Sequence, residues 1–445
     1  MASDLLAIAK SGTKATRAAL DVTAQNIANA SSTGYVRRSI QLEEVSSSGG
    51  LNRSGDISLS GVRVAGLVRN ADLFRQAEVR RTGADAARAN AEVQGLENIE
   101  AAIEQTQVYE AIVGFESALQ QLVSDPTDGS LRAAVIESGR SMANTFNIAA
   151  SSLDTAGEGL RFQAGDGVDQ VNLLAGELAR VNVRLGRAAD GSSDQSTLLD
   201  QRDSLLEKMS QYVDITASIG ADKTATVQIG ASSGPTLVTG GTAATMAMAT
   251  AADGTISLTL DGNPVTPASG SIAGQAQALV KLADTATRLN TLAADVIALA
   301  NTAQAAGADL DGNPGQPLFS GTGAADMAVA LTNERQFATA PAGASANSRD
   351  PGNLLALRDA LGAADPARQM DALLFDVSSA VAGRKVTRDA LDSIAGTARI
   401  ALDAQAGVDL DQEAVNLVRF QQAFQANGRV MQVAQDLFDT LLGIR

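Results

Sequence analysis

The sequence predicts a mainly α protein with a β insert. The chain is expected to be elongated and multidomain, with N- and C-terminal helices paired as a coiled coil, a long helical-bundle body and a small antiparallel β domain inserted into it. Three observations carry this expectation. Apolar residues recur at alternating three- and four-residue steps at both ends of the chain. A helical period runs through most of the middle. One stretch, Tyr212 to Gly270, switches to Thr-rich alternation broken by turns.

The N-terminal element is read as a helix capped by Ser3 and running to about Ala30. Leu5, Ile8, Gly12, Ala15, Ala19 and Val22 form its stripe, and Leu6, Leu20 and Ile27 broaden it. The small residues Gly12, Ala15 and Ala19 would let another helix approach closely. Asn29, Ser31, Ser32 and Gly34 then end the helix, and Tyr35 follows as an amphipathic anchor. Val36 to Val68 reads as two extended segments joined by a Gly/Ser loop at Ser46 to Gly50.

From Asn70 the chain is helical. Leu73, Val93, Leu96, Ile99 and Ile103 mark a first long helix, and Tyr109 to Val123 a second. Asp125-Pro126-Thr127-Asp128-Gly129 is a stop. Helices at Leu131–Leu153 and Val168–Leu185 are expected, with a break at Gly165–Gly167. Another opens at Leu198, where Leu198, Leu199, Leu205 and Leu206 share a face. Asp200, Arg202 and Asp203 project elsewhere, as surface ion pairs across turns.

The insert, 212–270, carries the expected strands, with turns at Asp253-Gly254 and Asp261-Gly262. Helices resume at Ile272 to Gln304, Leu354 to Leu361 and Ala367 to Ala404. The final helix follows Gly407. Asp409 and Asp411 stand where anionic caps belong, and Glu413 lies in the first turn. Leu417, Phe420, Phe424, Asn427, Met431, Ala434, Phe438 and Leu441 form its stripe, and Val430, Val433 and Leu437 widen it. Asp409 to Leu442 spans roughly 50 Å as a helix. A face that long needs partners along its whole length, and the N-terminal helix is the first candidate. Periodicity alone also accommodates two ordinary amphipathic helices in a globular core. Phe420, Phe424, Met431 and Phe438 are equally readable as core or as subunit interface.

The resulting organisation is nested. Residues 1–68 and 405–445 form a terminal helical assembly domain, 69–211 and 271–404 a helical-bundle body, and 212–270 a small outer β domain.

Composition narrows the chemistry. A chain of 445 residues can hold about three domains. Its apolar residues are mostly Ala, Leu and Val, and aromatics are only 3% with no Trp, which favours helix packing. The balance of 34 basic against 50 acidic residues gives a net charge of −16, with no basic cluster. Binding to nucleic acid or to an anionic membrane is therefore not expected. Cys and His are both absent, which excludes disulfides, thiolate chemistry and imidazole catalysis or ligation. Asp309, Asp311 and Asn313 have the spacing that opens a calcium loop, but the twelfth position is Ser320 and Pro314 and Pro317 interrupt it. A hydrogen-bonded turn is the better reading. No phosphate-cradling motif is present. The chain is expected to be no enzyme and to need no cofactor or metal. Neither a cleavable leader nor a transmembrane run is expected.

Five stretches resemble a known family. N-I-A-N-A-S-S-T-G-Y at Asn26 to Tyr35, with Asn26, Asn29, Gly34 and Tyr35 as its marked positions, resembles the N-terminal signature of flagellar axial proteins: rod, hook and hook-associated proteins. Asn416, Gln421 to Ala426 and Asn427 resemble the C-terminal half of that signature. L-L-D-Q-R-D-S-L-L at Leu198 to Leu206, with Leu199, Asp200, Gln201, Arg202 and Asp203, resembles the hook-associated protein 1 family. So do F-E-S-A-L-Q-Q-L at Phe115 to Leu122, with Pro126 and Arg132 following, and the Asp309 to Gly315 turn.

The resemblance implies a structural adaptor joining hook to filament through a junction ring, secreted to the extracellular flagellum by the flagellar type III apparatus. It implies self-association, contact with the hook protein and with the second hook–filament junction protein, and a cytoplasmic export chaperone on the C-terminal helix. Leu5, Ile8, Leu20, Ile27, Leu417, Phe420, Phe424, Met431, Phe438 and Leu441 are the expected interface residues. The other readings are a hook or rod subunit, or an extracellular adhesin or carbohydrate-binding surface protein.

Overall fold

The computed structural model describes residues 2–32, 34–46 and 59–442. The Ser3 cap, the loop beyond Ser46 and the packing of Leu441 lie outside the described residues. In chain order the elements are α1 (Ala2–Ala28), β1 (Arg38–Ser46), β2 (Leu59–Arg69), α2 (Leu73–Glu104), α3 (Val108–Leu122), α4 (Gly129–Leu185) and α5 (Ser193–Tyr212). Seven short strands follow: β3 (Ile215–Ile219), β4 (Ala225–Ile229), β5 (Thr236–Thr239), β6 (Thr242–Ala243), β7 (Met246–Thr250), β8 (Ile256–Leu260) and β9 (Asn263–Val265). The chain then returns to helix in α6 (Ser271–Ala305), α7 (Gly352–Ala364), α8 (Pro366–Ala406) and α9 (Leu410–Leu442). The mainly α class with β insertions is the fold observed.

One difference from the sequence reading and one added detail are instructive. Gly165 to Gly167 does not interrupt a helix: α4 runs unbroken for 57 residues. Glycine costs about 1 kcal/mol in a helix interior. That cost is offset because the buried stripe of Leu160, Ala164, Val168 and Val171 continues through the glycines in helical register. The stretch 212–270, read as a small antiparallel β domain, carries two separate sheets. The first has the order β3-β4-β5-β6 and the second β7-β8-β9, all in antiparallel pairs.

The chain divides into two compact units. One comprises Asp85–Asp169 and Met246–Leu391. Its core is a continuous cluster that includes Leu96, Ile103, Phe115, Leu119, Phe146, Leu289, Val296, Leu357 and Val377. Phe115 meets Phe319 edge-on, with ring centroids 5.8 Å apart. Arg132 is 0% exposed within this unit. It donates to the carbonyls of Pro126, Glu334, Arg335 and Phe337 and to Thr339 Oγ1. An arginine at the start of a helix thus holds the irregular 334–339 segment in place. The Asp309 turn also belongs here: Asp309 Oδ1 accepts from the backbone N–H groups of Asp311 and Asn313 at 2.9 and 2.8 Å.

The other unit comprises Met1–Ala84, Gln170–Thr245 and Asp392–Arg445, so it holds both chain ends. Helix α1 packs along α9, and the β1–β2 hairpin packs on α1. Asp409 caps α9 as expected, its Oδ1 accepting from the N–H groups of Asp411 and Gln412. The hairpin also meets the turn before α5. Leu67 N donates to Gly191 O at 3.0 Å, and Gly191 has φ +68°. A Cβ on Gly191 would stand 3.0 Å from the Cα of Gly66, so glycines on both sides permit the approach.

Candidate assembly interface

Helices α1 and α9 run antiparallel, as two contacts fix. Near one end Asn26 meets Glu413; further along, a Cβ on Gly12 would stand 2.8 Å from Asn427 Oδ1. The absent side chain at Gly12 is therefore what seats Asn427. The seam between the helices is made of small and polar groups. Ala9, Ala15, Ala19, Val22, Thr23 and Asn26 are buried on α1, and Glu413, Asn416 and Ala434 on α9.

Asn26 is the hub of this seam. It is 1% exposed and uses both ends of its amide. Its Nδ2 donates to Arg38 O at 2.9 Å and Glu413 Oε2 at 3.1 Å; its Oδ1 accepts from Tyr35 O–H at 2.9 Å and Arg38 N–H at 3.1 Å. A buried side-chain amide can be accommodated when its hydrogen-bonding capacity is met in this way. Arg37 Nε donates to Glu413 Oε1 at 2.7 Å, and Arg37 N–H to Ala406 O at 2.9 Å. The Arg38 guanidinium also lies over the Tyr35 ring, 5.1 Å from its centroid. Burial raises the Tyr35 pKa above its ordinary value, with Arg38 opposing the shift.

The L-L-D-Q-R-D motif does something other than the surface pairing expected of it. In the β1–β2 register Arg38 stands opposite Arg69, two like charges face to face. Directly opposed like charges destabilise a sheet. Asp200 on α5 resolves this by binding both: its Oδ2 accepts from Arg38 Nη2 at 2.6 Å and its Oδ1 from Arg69 Nε at 2.9 Å. Asp203 accepts from Arg69 Nη2 at 2.9 Å and Arg202 Nη2 at 2.6 Å, while Arg202 Nη1 donates to Lys223 O. Burial alone would raise the Asp203 pKa, but Arg202 and Arg69 outweigh it and hold the carboxyl below its usual range. The expectation of surface ion pairs is corrected accordingly: Arg202 is 2% exposed, and these acids join α5 to the base of the hairpin.

The remaining motif residues have simpler places. Asn29 Nδ2 caps the end of α1 on Gln25 O, and Gly34 takes φ +80° in the turn. Leu199 is half-buried and Gln201 is exposed. Arg37, Arg38, Arg69 and Glu413 were missed as partners. The available signal was Asn26 itself, which falls on the apolar stripe four residues after Val22 and so must meet polar groups when the stripe is covered.

Several large apolar side chains of the two helices stay exposed outside the seam. Leu5 is 43% exposed, Ile8 37%, Phe424 39% and Phe438 52%. Val415, Val418, Val430, Val433 and Leu437 are exposed as well. Leu20, Ile27, Leu417, Phe420 and Met431 are half-buried. Large apolar side chains exposed in this number are a feature that interaction surfaces share. Among the described residues no helix is long and apolar enough to cross a membrane.

Joined chain ends, an outward apolar face and long helices define a structural subunit made for assembly. Comparison with known proteins agrees. The family described as "Flagellar hook-associated protein FlgK helical domain" matches residues 93–319. "Flagella basal body rod protein" matches residues 6–35, and "Flagellar basal body rod FlgEFG protein C-terminal" matches 404–444. The chain belongs to the flagellar hook-associated protein FlgK family.

Flagellar hook-associated protein 1 of Salmonella typhimurium is 25% identical over 572 aligned positions, covering 100% of both chains. Flagellar hook-associated protein 1 of Bacillus subtilis is 27% identical over 220 residues, which is 48% of this chain but only 43% of that protein. The structure of the flagellar hook junction protein FlgK from Burkholderia pseudomallei overlaps 54% of this chain and 46% of its own, at 22% identity and a TM-score of 0.45.

Proposed function

We propose that this chain is the structural adaptor that joins hook to filament in the bacterial flagellum, acting as a member of a junction ring. One observation carries the reading. The family's helical domain lies between two axial-protein ends, and those ends are bound to each other at Asn26 and Glu413. Its role is mechanical, with no catalytic step. The paired helices α1 and α9 line the inner tube, and their exposed apolar side chains are covered by adjoining subunits. Leu5, Ile8, Leu20, Ile27, Leu417, Phe420, Phe424, Met431, Phe438 and Leu441 are the interface residues. Residues 1–68 and 405–445 act as the assembly domain, 69–211 and 271–404 as the helical-bundle body and 212–270 as the β insert.

In this reading the neighbours are other copies of the chain, the hook protein and the second junction protein. The chain leaves the cell by the flagellar type III route, its C-terminal helix held by a chaperone until export. Fully burying one exposed large apolar side chain contributes about 1.5–3 kcal/mol, so covering Leu5, Ile8, Phe424 and Phe438 alone favours assembly. Deleting the gene tests the reading. Hooks should remain intact while filament subunits are shed into the medium; normal filaments on the deletion strain would end it.

A further inference from the structure

The end-bearing unit encloses a cavity of about 420 Å³ between the turn after α1, α2, α5 and the end of α8. Arg80 and Gln76, one turn apart on α2, line it, as do Tyr35, Asp203 and Glu207. Arg80 is only 8% exposed, yet among the described residues its guanidinium has neither a hydrogen bond nor an ion pair. The unit's other buried arginines are matched: Arg38 and Arg69 meet Asp200, and Arg202 meets Asp203. The acids near Arg80 are engaged elsewhere, Asp203 by Arg69 and Arg202, and Glu207 by Arg399. Burial lowers the Arg80 pKa, and the fields of Asp203 and Glu207 only partly oppose this.

Gln76 adds a group of the opposite kind. Its Nε2 donates to Asp203 Oδ2 at 3.0 Å, which fixes the amide, and its Oε1 is buried without a donor. A largely buried cation with no acid paired to it, and a buried acceptor without a donor, both cost stability. Sites that break local rules in this way are where function is expected. Five guanidinium N–H donors beside one carbonyl acceptor match an acidic residue within a peptide. Its carboxylate would accept from Arg80, and its backbone N–H would donate to Gln76 Oε1.

We propose that this cavity receives an acidic peptide segment from a second copy of the chain. The charge balance favours that source, since the chain carries 50 acidic against 34 basic residues. The inference rests on the assembly reading above and names one of its contacts.

The test uses flagella isolated from cells that produce two versions of the full chain, one with a benzophenone amino acid at Ser31 on the cavity rim and one with an epitope tag. Irradiation should link Ser31 to an Asp- or Glu-containing peptide of the tagged copy. Arg80→Met in the benzophenone chain should lower that link at least tenfold, with Arg80→Lys restoring part of it. Purified Arg80→Met chain should unfold at the same temperature as the parent or higher, because an unpaired buried charge has been removed. A lower unfolding temperature would make Arg80 a structural residue and overturn the proposal. So would links unchanged by Arg80→Met, or links confined to a single copy. If glutarate raises the unfolding temperature of the parent but not of Arg80→Met, the ligand is a free small carboxylate and the second copy is not its source. If the chain is absent from isolated flagella, the assembly reading fails as well; if it is present without the link, only this inference fails.

Discussion

Asn26 and Glu413 lie 387 positions apart and share a hydrogen bond of 3.1 Å inside the helix seam. Glu413 is 1% exposed and also holds Arg37, so one carboxylate joins the turn after α1 to the first turn of α9. Glu413→Leu should cost about 2 kcal/mol: breaking a buried pair costs about 3–5 kcal/mol, and the partial exposure of Arg37 reduces this. Amide exchange should accelerate at the Asn26 end of α1 and the Glu413 end of α9, with the β3–β6 sheet unchanged.

Asp200 is the shared counter-charge of Arg38 and Arg69. Asp200→Ala should leave the two arginines opposed and cost about 2–3 kcal/mol. Adding Arg69→Met should return part of that loss, because the repulsion is removed with the arginine. Chemical denaturation of the two single variants and the double variant measures the coupling, expected at about 1–3 kcal/mol. Additive losses would mean that the three groups do not act as one unit.

The Asp203 carboxyl has a folded-state pKa below its ordinary value of 3.8. Its stabilising contribution is therefore fully present above that value and is lost as pH falls from about 4 through the lower folded-state pKa. Thermal unfolding of the parent and of Asp203→Asn should differ at pH 6, and the difference should shrink as the pH falls below about 4. A difference that grows as the pH falls would contradict the sign of this linkage.

Arg132 has its pKa lowered to about 10, first by burial and then by Arg335, and stays charged at neutral pH. Arg132→Met should leave several buried carbonyls without donors and cost about 3 kcal/mol or more. Arg132→Lys should recover little, because one ammonium cannot reproduce the planar fork. Limited proteolysis should find new cleavage within the 334–339 segment in both variants.

How far the sequence could be read follows from the range of each interaction. Helical period, caps and turns are local, so α1, α9, the Asp409 cap and the hairpin strands were legible directly. The approach of α9 at Gly12 was also readable, from a run of small residues. The role of Asp200 and Asp203 was not. Spacing along α5 shows only which residues could pair with one another, whereas their partners Arg38 and Arg69 come from a hairpin more than a hundred residues earlier. The 57-residue α4 was misread at Gly165 to Gly167 because propensity is local while the burial that overrides it is tertiary. The motif residues were found by resemblance, and their geometry then showed which side chains bind one another.

The central claim is that the outer face of α1 and α9 is completed only by neighbouring subunits. Hydrogen–deuterium exchange on the free chain and on assembled flagella measures this at Leu5–Ile27 and Phe420–Phe438. Both segments should be only partly protected in the free chain and markedly more protected after assembly. Equal, strong protection in the two states would show that the helices need no neighbours, and the account would be wrong.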